Sequence, residues 1–310
     1  MGRGGGPGEA SMTDISLGDR NAERIKQTGR AHGIDNLHLF RITSATCLTA
    51  RFGAVDEDDR IAVKGGMLMW YQAETRGDAR PTTDIDIHFY EDIAPEEVKD
   101  LIRRAVELDA GYGMSLELVS IGDLKHSGDH PGLRAKFIAS WGRTKVHFHC
   151  DIGFGGRPDP NMKRVRFEPF VKGLPGGSIM MVPFETVYAE KLHAVTIFGS
   201  DNTRIKDLHD LAVLGRRGLD PQRLAEAVER TFEDRNTPVP VSGALLAGLT
   251  PEFAASRQAQ WVGFLRDANR TAAMPAALVD VAEKIAFDAS NVFQRVHAMH
   301  GLAAGYRPAA

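Results

Sequence analysis

Apolar and polar residues alternate strictly in two stretches of the first half of the chain. In residues 83–89 the apolar positions are Ile85, Ile87 and Phe89, and residues 145–152 repeat the pattern. Successive side chains of a strand point to opposite faces, so both stretches predict strands with one buried face. Shorter apolar runs predict further strands near residues 61–63, 115–121, 133–140 and 179–182.

After Pro183 a helical spacing of apolar residues replaces the alternation. Helices are predicted over 184–198, 204–215 and 221–232, with two or three more between 251 and 299. In the first half, helices are predicted over 36–52, from 67 to 72, and from Pro95 to about 108. Residues 153–177 are rich in Gly and Pro and predict a long loop. The pattern therefore predicts an α/β half and an all-helical half, joined near residue 180.

Composition adds little to this picture. The chain has 310 residues, 43% of them hydrophobic, and a formal net charge of −3, so contact with nucleic acid would need a local basic patch. Cys47 and Cys150 belong to no CxxC pair and predict buried free thiols. No apolar run approaches the roughly 18 residues of a membrane span. The glycine-rich start predicts a flexible leader, and we expect a cytoplasmic protein without a membrane partner.

Two carboxylates carry the strongest chemical pattern. Asp84 and Asp86 lie two positions apart on a predicted strand, so their side chains share a face, with Cα atoms about 7 Å apart. Paired carboxylates of this kind can bind Mg²⁺, which also accepts water and phosphate oxygens. Such metal ions can activate a hydroxyl and neutralise a leaving pyrophosphate.

A glycine pair precedes these aspartates. Gly65 and Gly66 follow a short strand and come before a helix start, where free backbone N–H groups suit a triphosphate. Lys64 and Arg80 could add positive charge. Alone, a glycine pair is most often a turn, but its spacing from the aspartates favours a functional site.

Asp151 is the candidate third carboxylate, because it lies on the polar side of a later strand. A solvent-facing strand end is an equally good interpretation, since adjacency of strands cannot be derived from the pattern. His147 and His149 share that polar side, and with His88 they could instead form a transition-metal site of a hydrolase.

A second cluster of charges lies in the helical half. Glu190 and Lys191 are followed by a helix that carries Asp207 and Asp210 one turn apart. The functional interpretation has Lys191 contacting a nucleotide phosphate while Asp207 holds it in place. On composition alone, a surface ion pair of little energetic value is favoured.

Together these motifs resemble the AbiEii/AbiGii toxin family of DNA polymerase β-like nucleotidyltransferases, which includes the mycobacterial MenT toxins. The resemblance rests on four segments in matching order and spacing, namely residues 64–66, 80–86, 190–194 and 204–211. It covers about residues 64 to 211 and says little about the chain beyond Arg217.

The resemblance implies the function and the site residues. Members of the family bind nucleoside triphosphate, some add nucleotides to the 3′ end of tRNA, and the toxin acts beside a cognate antitoxin protein. The family's nucleotide-binding turn maps onto Gly65 and Gly66, and its metal aspartates onto Asp84 and Asp86. Its essential lysine maps onto Lys191. The family's late aspartate maps onto Asp207, with Asp210 as the second aspartate of that segment.

The expected fold class is α+β, a nucleotidyltransferase-type mixed sheet with helices, followed by an all-helical C-terminal domain. We expect a flexible leader over residues 1–30, a nucleotidyltransferase domain over 31–182 and a helical domain over 183–310 that completes the active site. Relatives often have Ser or Thr after the glycine pair, whereas this chain has Met67. A hydroxyl contact to phosphate is therefore missing at that position.

The sequence thus predicts a Mg²⁺-dependent enzyme that transfers a nucleotide from a nucleoside triphosphate to tRNA. Asp84, Asp86, Lys191 and Asp207 are the expected catalytic residues, and Asp84, Asp86 and Asp151 the expected metal ligands. The expected nucleotide-binding residues are Lys64, Gly65, Gly66, Arg80 and Lys191. Transfer to a protein hydroxyl and a non-catalytic nucleotide-binding module remain as alternatives.

Overall fold

A computed structural model of the chain describes residues 16–72, 76–80, 82, 84–90, 93–124, 132–267 and 274–301, apart from the side chains of Asp84 and Pro95. The strands are β1 Ile61–Lys64, β2 Asp84–Phe89, β3 Met114–Asp123, β4 Gly132–Trp141, β5 Thr144–Phe154, β6 Lys163–Phe167 and β7 Gly177–Met181. The helices are α1 Leu17–His32, α2 Asn36–Val55, α3 Leu68–Tyr71, α4 Pro95–Glu107, α5 Phe184–Phe198, α6 Ile205–Gly215, α7 Pro221–Glu233, α8 Pro251–Asp267 and α9 Leu278–Met299. A 3₁₀ turn, Gly65–Met67, links β1 to α3.

The strands form one mixed sheet of seven strands in the order β3-β4-β5-β2-β1-β7-β6. Strand β2 lies in the middle, antiparallel to β1 and parallel to β5. Strand β1 pairs in parallel with β7, which comes more than 100 residues later in the sequence. The predicted α+β class, a mixed sheet followed by a helical region, is confirmed.

One face of this sheet is buried beneath helices. The buried side chains of β2 are Ile85, Ile87 and Phe89, as the alternation predicts. Helix α2 packs against β5 and β7, and α4 packs against α2 and β3. The polar positions of β2 and β5 therefore lie on the opposite face, where the candidate chemistry is concentrated.

A helix lies within the stretch for which the sequence indicated a leader. Helix α1 occupies Leu17–His32, with the Ser16 side chain accepting a hydrogen bond from the Asp19 backbone N–H. Ala22 and Ile25 are buried, and Asn21 donates to the Tyr112 carbonyl at 2.7 Å. The leader assigned to residues 1–30 is thus wrong for this helix, because its narrow apolar stripe of small residues gives a weak pattern. Residues 1–15 lie outside the described residues.

The long loop predicted over 153–177 also needs correction. It contains the edge strand β6, which pairs antiparallel with β7. Only Val165 and Phe167 of this strand face inward, so its pattern of charged residues resembled that of a loop. Because β6 completes the sheet beside β7, the sheet extends up to the start of the helical half.

The helical half packs around α5 and α9. Helix α5 contacts α6 and α7, and α9 contacts α7, α8 and α6. Cys47 on α2 and Cys150 on β5 are free and buried, as predicted, and burial raises the pKa of both thiols. Within the described part of the chain, none of these helices combines the length and apolarity that crossing a bilayer requires.

Candidate active site

The glycine turn lies between two charged side chains. Gly65 has φ +72°, a left-handed conformation that glycine adopts without strain, and a Cβ there would overlap the Asp86 carboxylate. A Cβ at Gly66 would lie 3.0 Å from Nη2 of Arg80 and 3.6 Å from the Thr82 hydroxyl. The missing side chains therefore let the turn approach a carboxylate on one side and a guanidinium on the other.

Burial accounts for the methionine at position 67, where relatives often have Ser or Thr. Its side chain is fully buried, so the position that follows the glycine pair faces the core. The nearby hydroxyl is that of Thr82, which is also buried. Sequence reasoning missed Thr82, although it lies within the segment that resembles the family.

The aspartates occupy the polar face of the central strand. Asp86 pairs in register with Lys64 on β1 and with Asp151 on β5, so these residues form one row across the sheet. The backbone of Asp84 pairs with His149, and its side chain lies outside the described atoms. Asp84 and Asp86 are two strand positions apart, which places them on one face.

Asp151 is adjacent to Asp86 but has a partner of its own. Nε and Nη2 of Arg134 donate to its two carboxylate oxygens, each at 2.6 Å. Arg134 lies directly across from Asp151 in the antiparallel β4–β5 pair. A bidentate, charge-assisted pair of this kind is among the stronger hydrogen-bonded contacts. The structure thus places Asp151 beside Asp86, with its two oxygens accepting hydrogen bonds from the Arg134 guanidinium.

Lys191 lies in a buried ion cluster. Its Nζ is 2.7 Å from the Asp207 carboxylate and 2.9 Å from that of Asp210. Nε and Nη2 of Arg80 each lie 3.1 Å from Asp210, and Nε of Arg204 lies 2.5 Å from Asp207. The Lys191 side chain is only 11% exposed and that of Asp210 is fully buried, so the surface ion pair favoured by composition is wrong.

The cluster favours the charged forms of Lys191 and Asp210. Burial alone would lower the pKa of Lys191, but Asp210 and Asp207 outweigh it and raise the pKa above its ordinary value. Burial alone would raise the pKa of Asp210, but Lys191 and Arg80 hold it far below the ordinary range. The indole N–H of Trp70 donates to the Arg80 carbonyl at 2.7 Å and fixes the backbone that carries the guanidinium. Arg80 therefore joins the glycine turn to Lys191 through a shared carboxylate.

Glu190 is a further charged residue that the sequence reasoning left without a role. Lys64 Nζ donates to its carboxylate at 3.1 Å, and Nη2 of Arg235 lies 3.4 Å away. Burial opposes ionisation, but Lys64 and Arg235 lower the pKa of Glu190 to about 2. Glu190 on α5 therefore binds Lys64, and Lys64 lies beside Asp86 in the sheet. Glu190 is thus part of the same site. Its place just before Lys191 in the sequence was the available indication.

The lowered pKa of Glu190 predicts a pH-dependent stability. A carboxylate whose pKa is lower in the folded protein stabilises the fold when the pH is above the pKa of the same group in the unfolded chain. That contribution is lost as the pH falls through the pKa of the folded state. Glu190→Gln should therefore destabilise the protein at pH 7 by about 1.5–3 kcal/mol, typical of a hydrogen bond to a charged group. The difference from wild type should shrink as the pH falls below 4.5 toward about 2. Urea unfolding between pH 7 and pH 3.5 measures this difference.

Glu117→Gln on β3 is the matched control, because Glu117 is exposed. It should change the free energy of unfolding by less than about 0.5 kcal/mol at every pH. A Glu190→Gln difference that stayed constant down to pH 3.5 would contradict the role given to its charge.

A second prediction concerns Gly65. Gly65→Ala should impair the nucleotide transfer expected from the sequence by on the order of 10²-fold, since a displacement of about 1 Å in a reacting group has that effect. The new Cβ would push the Asp86 carboxylate out of place. Gly111→Ala is a close control, because Gly111 also has φ +72° but a Cβ there meets nothing within 4 Å. Both variants carry the same backbone strain of about 1–2 kcal/mol. Equal activity in the two variants would show that contact with Asp86 is unimportant.

A cleft of about 290 Å³ opens beside this row of residues. It is lined on the sheet side by Asp86, His88 and Asp151, and on the helical side by Glu190 and Arg235. The cleft lies between the two halves of the chain, where a substrate would contact both.

The three histidines of the hydrolase alternative do not form a metal site. His88 Nε2 is 2.6 Å from the Gly155 carbonyl, and its ring packs against Tyr90. Among the described side chains, which exclude that of Asp84, no three His, Cys, Asp or Glu groups converge as metal ligands. The arrangement gives no support to a transition-metal hydrolase.

Comparison with known proteins adds a family assignment. Residues 46–286 match the sequence model of a family described as nucleotidyl transferase AbiEii toxin, type IV TA system. This match covers most of the chain and includes the glycine turn, β2, Lys191 and the Asp207 helix. No curated protein matches the chain.

Two of the solved structures that match the chain come from Helicobacter pylori. The crystal structure of JHP933 is 14% identical in sequence, with a TM-score of 0.45, and the match covers 85% of this chain and 97% of that one. The crystal structure of a second H. pylori protein, described as a nucleotidyltransferase, is 13% identical, with a TM-score of 0.45. The match covers 83% of this chain and 96% of that one.

Proposed function

Because the chain belongs to the AbiEii nucleotidyltransferase toxin family of type IV toxin–antitoxin systems, we propose that it transfers a nucleotide from a nucleoside triphosphate to the 3′ end of tRNA. One observation carries this proposal. The glycine turn contacts Asp86 on one side and Arg80 on the other, and Arg80 shares the Asp210 carboxylate with Lys191. A phosphate-binding turn, a candidate metal carboxylate and two cations are thereby linked in one contiguous site.

The residues fit a divalent cation by their chemistry. Asp84 and Asp86 would hold Mg²⁺, because both supply carboxylate oxygens and the absence of a Cβ at Gly65 leaves room for the Asp86 carboxylate. A bound Mg²⁺ would neutralise charge on the reacting phosphates and lower the pKa of an attacking hydroxyl. Asp151 remains the candidate third ligand or base, because each of its oxygens keeps a lone pair beyond the one that accepts from Arg134.

The other residues position the triphosphate. Backbone N–H groups of the turn at Gly65 and Gly66 bind phosphate oxygens, and Arg80 and Lys191 supply positive charge beside them. Asp207 and Asp210 keep Lys191 protonated and fix its side chain. Phosphoryl transfer depends chiefly on positioning and on charge neutralisation, so this set of groups is sufficient.

We also propose that the chain divides between residues 182 and 183. The nucleotidyltransferase domain ends there, after β7, and residues 183–310 form the helical domain. Among the described residues, several charge pairs connect the two parts around the cleft, including Lys64 with Glu190, Arg80 with Asp210, and Arg157 with Asp234. Since Lys191 and Asp207 lie in the second part, neither domain alone contains a complete site.

The test of the function is incorporation of label from each of the four nucleoside triphosphates in the presence of Mg²⁺. Deacylated tRNA and total cell protein serve as separate acceptors. Label in tRNA, located at its 3′ end by nuclease digestion, is the expected result. Label in protein alone would support transfer to a protein hydroxyl instead. Triphosphate binding without pyrophosphate release would support a non-catalytic module.

The toxin assignment has its own test. Expression of the chain should arrest growth, and co-expression of the cognate antitoxin encoded beside it should relieve the arrest. Growth that continues at high expression of the active enzyme would refute the toxin role while leaving nucleotide transfer in place.

A further inference from the structure

The sheet has a second polar surface beyond the aspartates. On β4, Ala135, Phe137 and Ala139 are buried, while Lys136 between them is exposed. On β5 the buried residues likewise alternate with the exposed Lys145 and His147. We name this face of β3, β4 and β5 the open face, defined by Ser120, Arg134, Lys136, Lys145, His147 and His149.

The open face continues directly from the candidate metal site. Asp84 pairs with His149, and His149 pairs with Lys136 on the next strand. The Cα of Lys136 therefore lies two strand spacings, about 10 Å, from that of Asp84. Lys145 lies farther along the same face, opposite Ser140. Cationic side chains thus extend from the aspartates toward the edge of the sheet.

Two carboxylates share the open face with these cations. Asp151 is paired with Arg134, and Glu117 lies opposite Ile138 on the edge strand. The cations Lys136, Lys145 and Arg134 outnumber these two carboxylates. The surface therefore carries a net positive charge, although the whole chain has a formal charge of −3.

The reaction geometry decides which substrate uses this face. In phosphoryl transfer the attacking oxygen and the leaving oxygen lie roughly in line with the phosphorus between them. Under the proposed function, the leaving pyrophosphate lies on the β1 side of β2, by the glycine turn, Arg80 and Lys191. The attacking hydroxyl must then approach from the β5 side. That direction leads onto the open face.

The cleft on the helical side is a less suitable path for a polyanion. Arg157 is paired with Glu233 and Asp234, Arg230 with Asp159, and Arg235 with Glu190. A nucleic-acid backbone entering there would have to displace these carboxylates.

We infer that the open face binds the sugar–phosphate backbone of the RNA acceptor, with Lys136 and Lys145 contacting phosphates and His149 nearest the reacting end. This inference rests on the proposed function and adds a location for the acceptor. Contacts to phosphate carry no sequence information, so the surface provides affinity and register, and the binding depends on salt.

The test is the charge-reversal double variant Lys136→Glu/Lys145→Glu. Its affinity for deacylated tRNA is measured by fluorescence anisotropy from 50 to 200 mM salt, without triphosphate. We expect the Kd at 50 mM salt to rise by about tenfold or more. The negative slope of log affinity against log salt should become shallower by about 1 to 2. Binding of each nucleoside triphosphate with Mg²⁺ should stay within about twofold of wild type, because these lysines lie away from the glycine turn.

The control is Arg103→Glu/Lys172→Glu, which makes the same change in net charge. Both residues are exposed, and Arg103 lies on α4, which packs on the opposite side of the sheet. This control should bind tRNA within about twofold of wild type. Equal losses in the two double variants would overturn the inference, since only bulk charge would then matter. If the Lys136/Lys145 variant binds tRNA as wild type does, and the wild type labels tRNA, the inference about the open face is overturned while the proposed function stands. A wild type that neither binds nor labels tRNA would refute the proposed function as well.

Discussion

Asp86→Asn is expected to reduce incorporation of labelled nucleotide by on the order of 10³-fold or more, the scale at which charge stabilisation contributes to such reactions. Asparagine has nearly the same volume as aspartate, so it fits against Gly65, but it lacks the negative charge that binds a divalent cation. The measurement is single-turnover incorporation at saturating triphosphate. The free energy of unfolding in urea should remain within about 1 kcal/mol of wild type.

Asp100→Asn provides the comparison for Asp86→Asn. Asp100 is exposed on α4, against the buried face of the sheet. This variant should incorporate label at the wild-type rate. Activity of Asp86→Asn above a tenth of wild type would remove Asp86 from the catalytic centre.

Asp210→Ala is expected to destabilise the fold by about 3–5 kcal/mol, the usual effect of removing one partner from a buried ion pair. The substitution leaves Lys191 and Arg80 facing each other with one carboxylate fewer, in a region where the Asp210 side chain is fully buried. Urea unfolding at pH 7 measures the change. Asp210→Asn retains the volume and should show a smaller loss of stability together with weaker triphosphate binding.

Asp267→Ala is the corresponding exposed substitution. Asp267 pairs only loosely with Arg266, at 3.4 Å, and both side chains are largely exposed. Its effect on the free energy of unfolding should stay below about 0.5 kcal/mol. An Asp210→Ala variant of similarly small effect would show that the cluster contributes nothing to the joining of the two parts of the chain.

Local patterns predicted the elements that carry the site. The alternation in β2 placed Asp84 and Asp86 opposite the buried Ile85 and Ile87, because a strand must turn its side chains in this way. The register of β4 against β5 was equally accessible. The two strands are joined by a tight turn at Gly142 and Arg143. Each residue of β4 pairs with the residue of β5 that is the same number of positions from this turn. That rule pairs Arg134 with Asp151.

Long-range pairings were beyond the reach of the sequence pattern. Nothing near β2 specifies that its parallel neighbour is β5, which brings Asp86 beside Asp151. The burial of Lys191 also depends on how α5 and α6 pack together, and a lysine next to two aspartates looks the same on a surface. Helix α1 and strand β6 were missed because few of their residues face the core.

The order in which the strands are joined affects how the protein is made. A growing chain completes β1 and β2 early, yet β1 lacks its parallel neighbour until β7 has been synthesised, and Lys191 and Asp210 follow later still. At typical translation speeds, the roughly 120 residues between β2 and Asp210 take on the order of 10 s to add. Through most of that interval the nascent polypeptide has Asp84 and Asp86 but lacks Lys191. Under the proposed function, enzymatic competence therefore arises only after translation has passed residue 210, and a product that ends before that residue lacks a complete site.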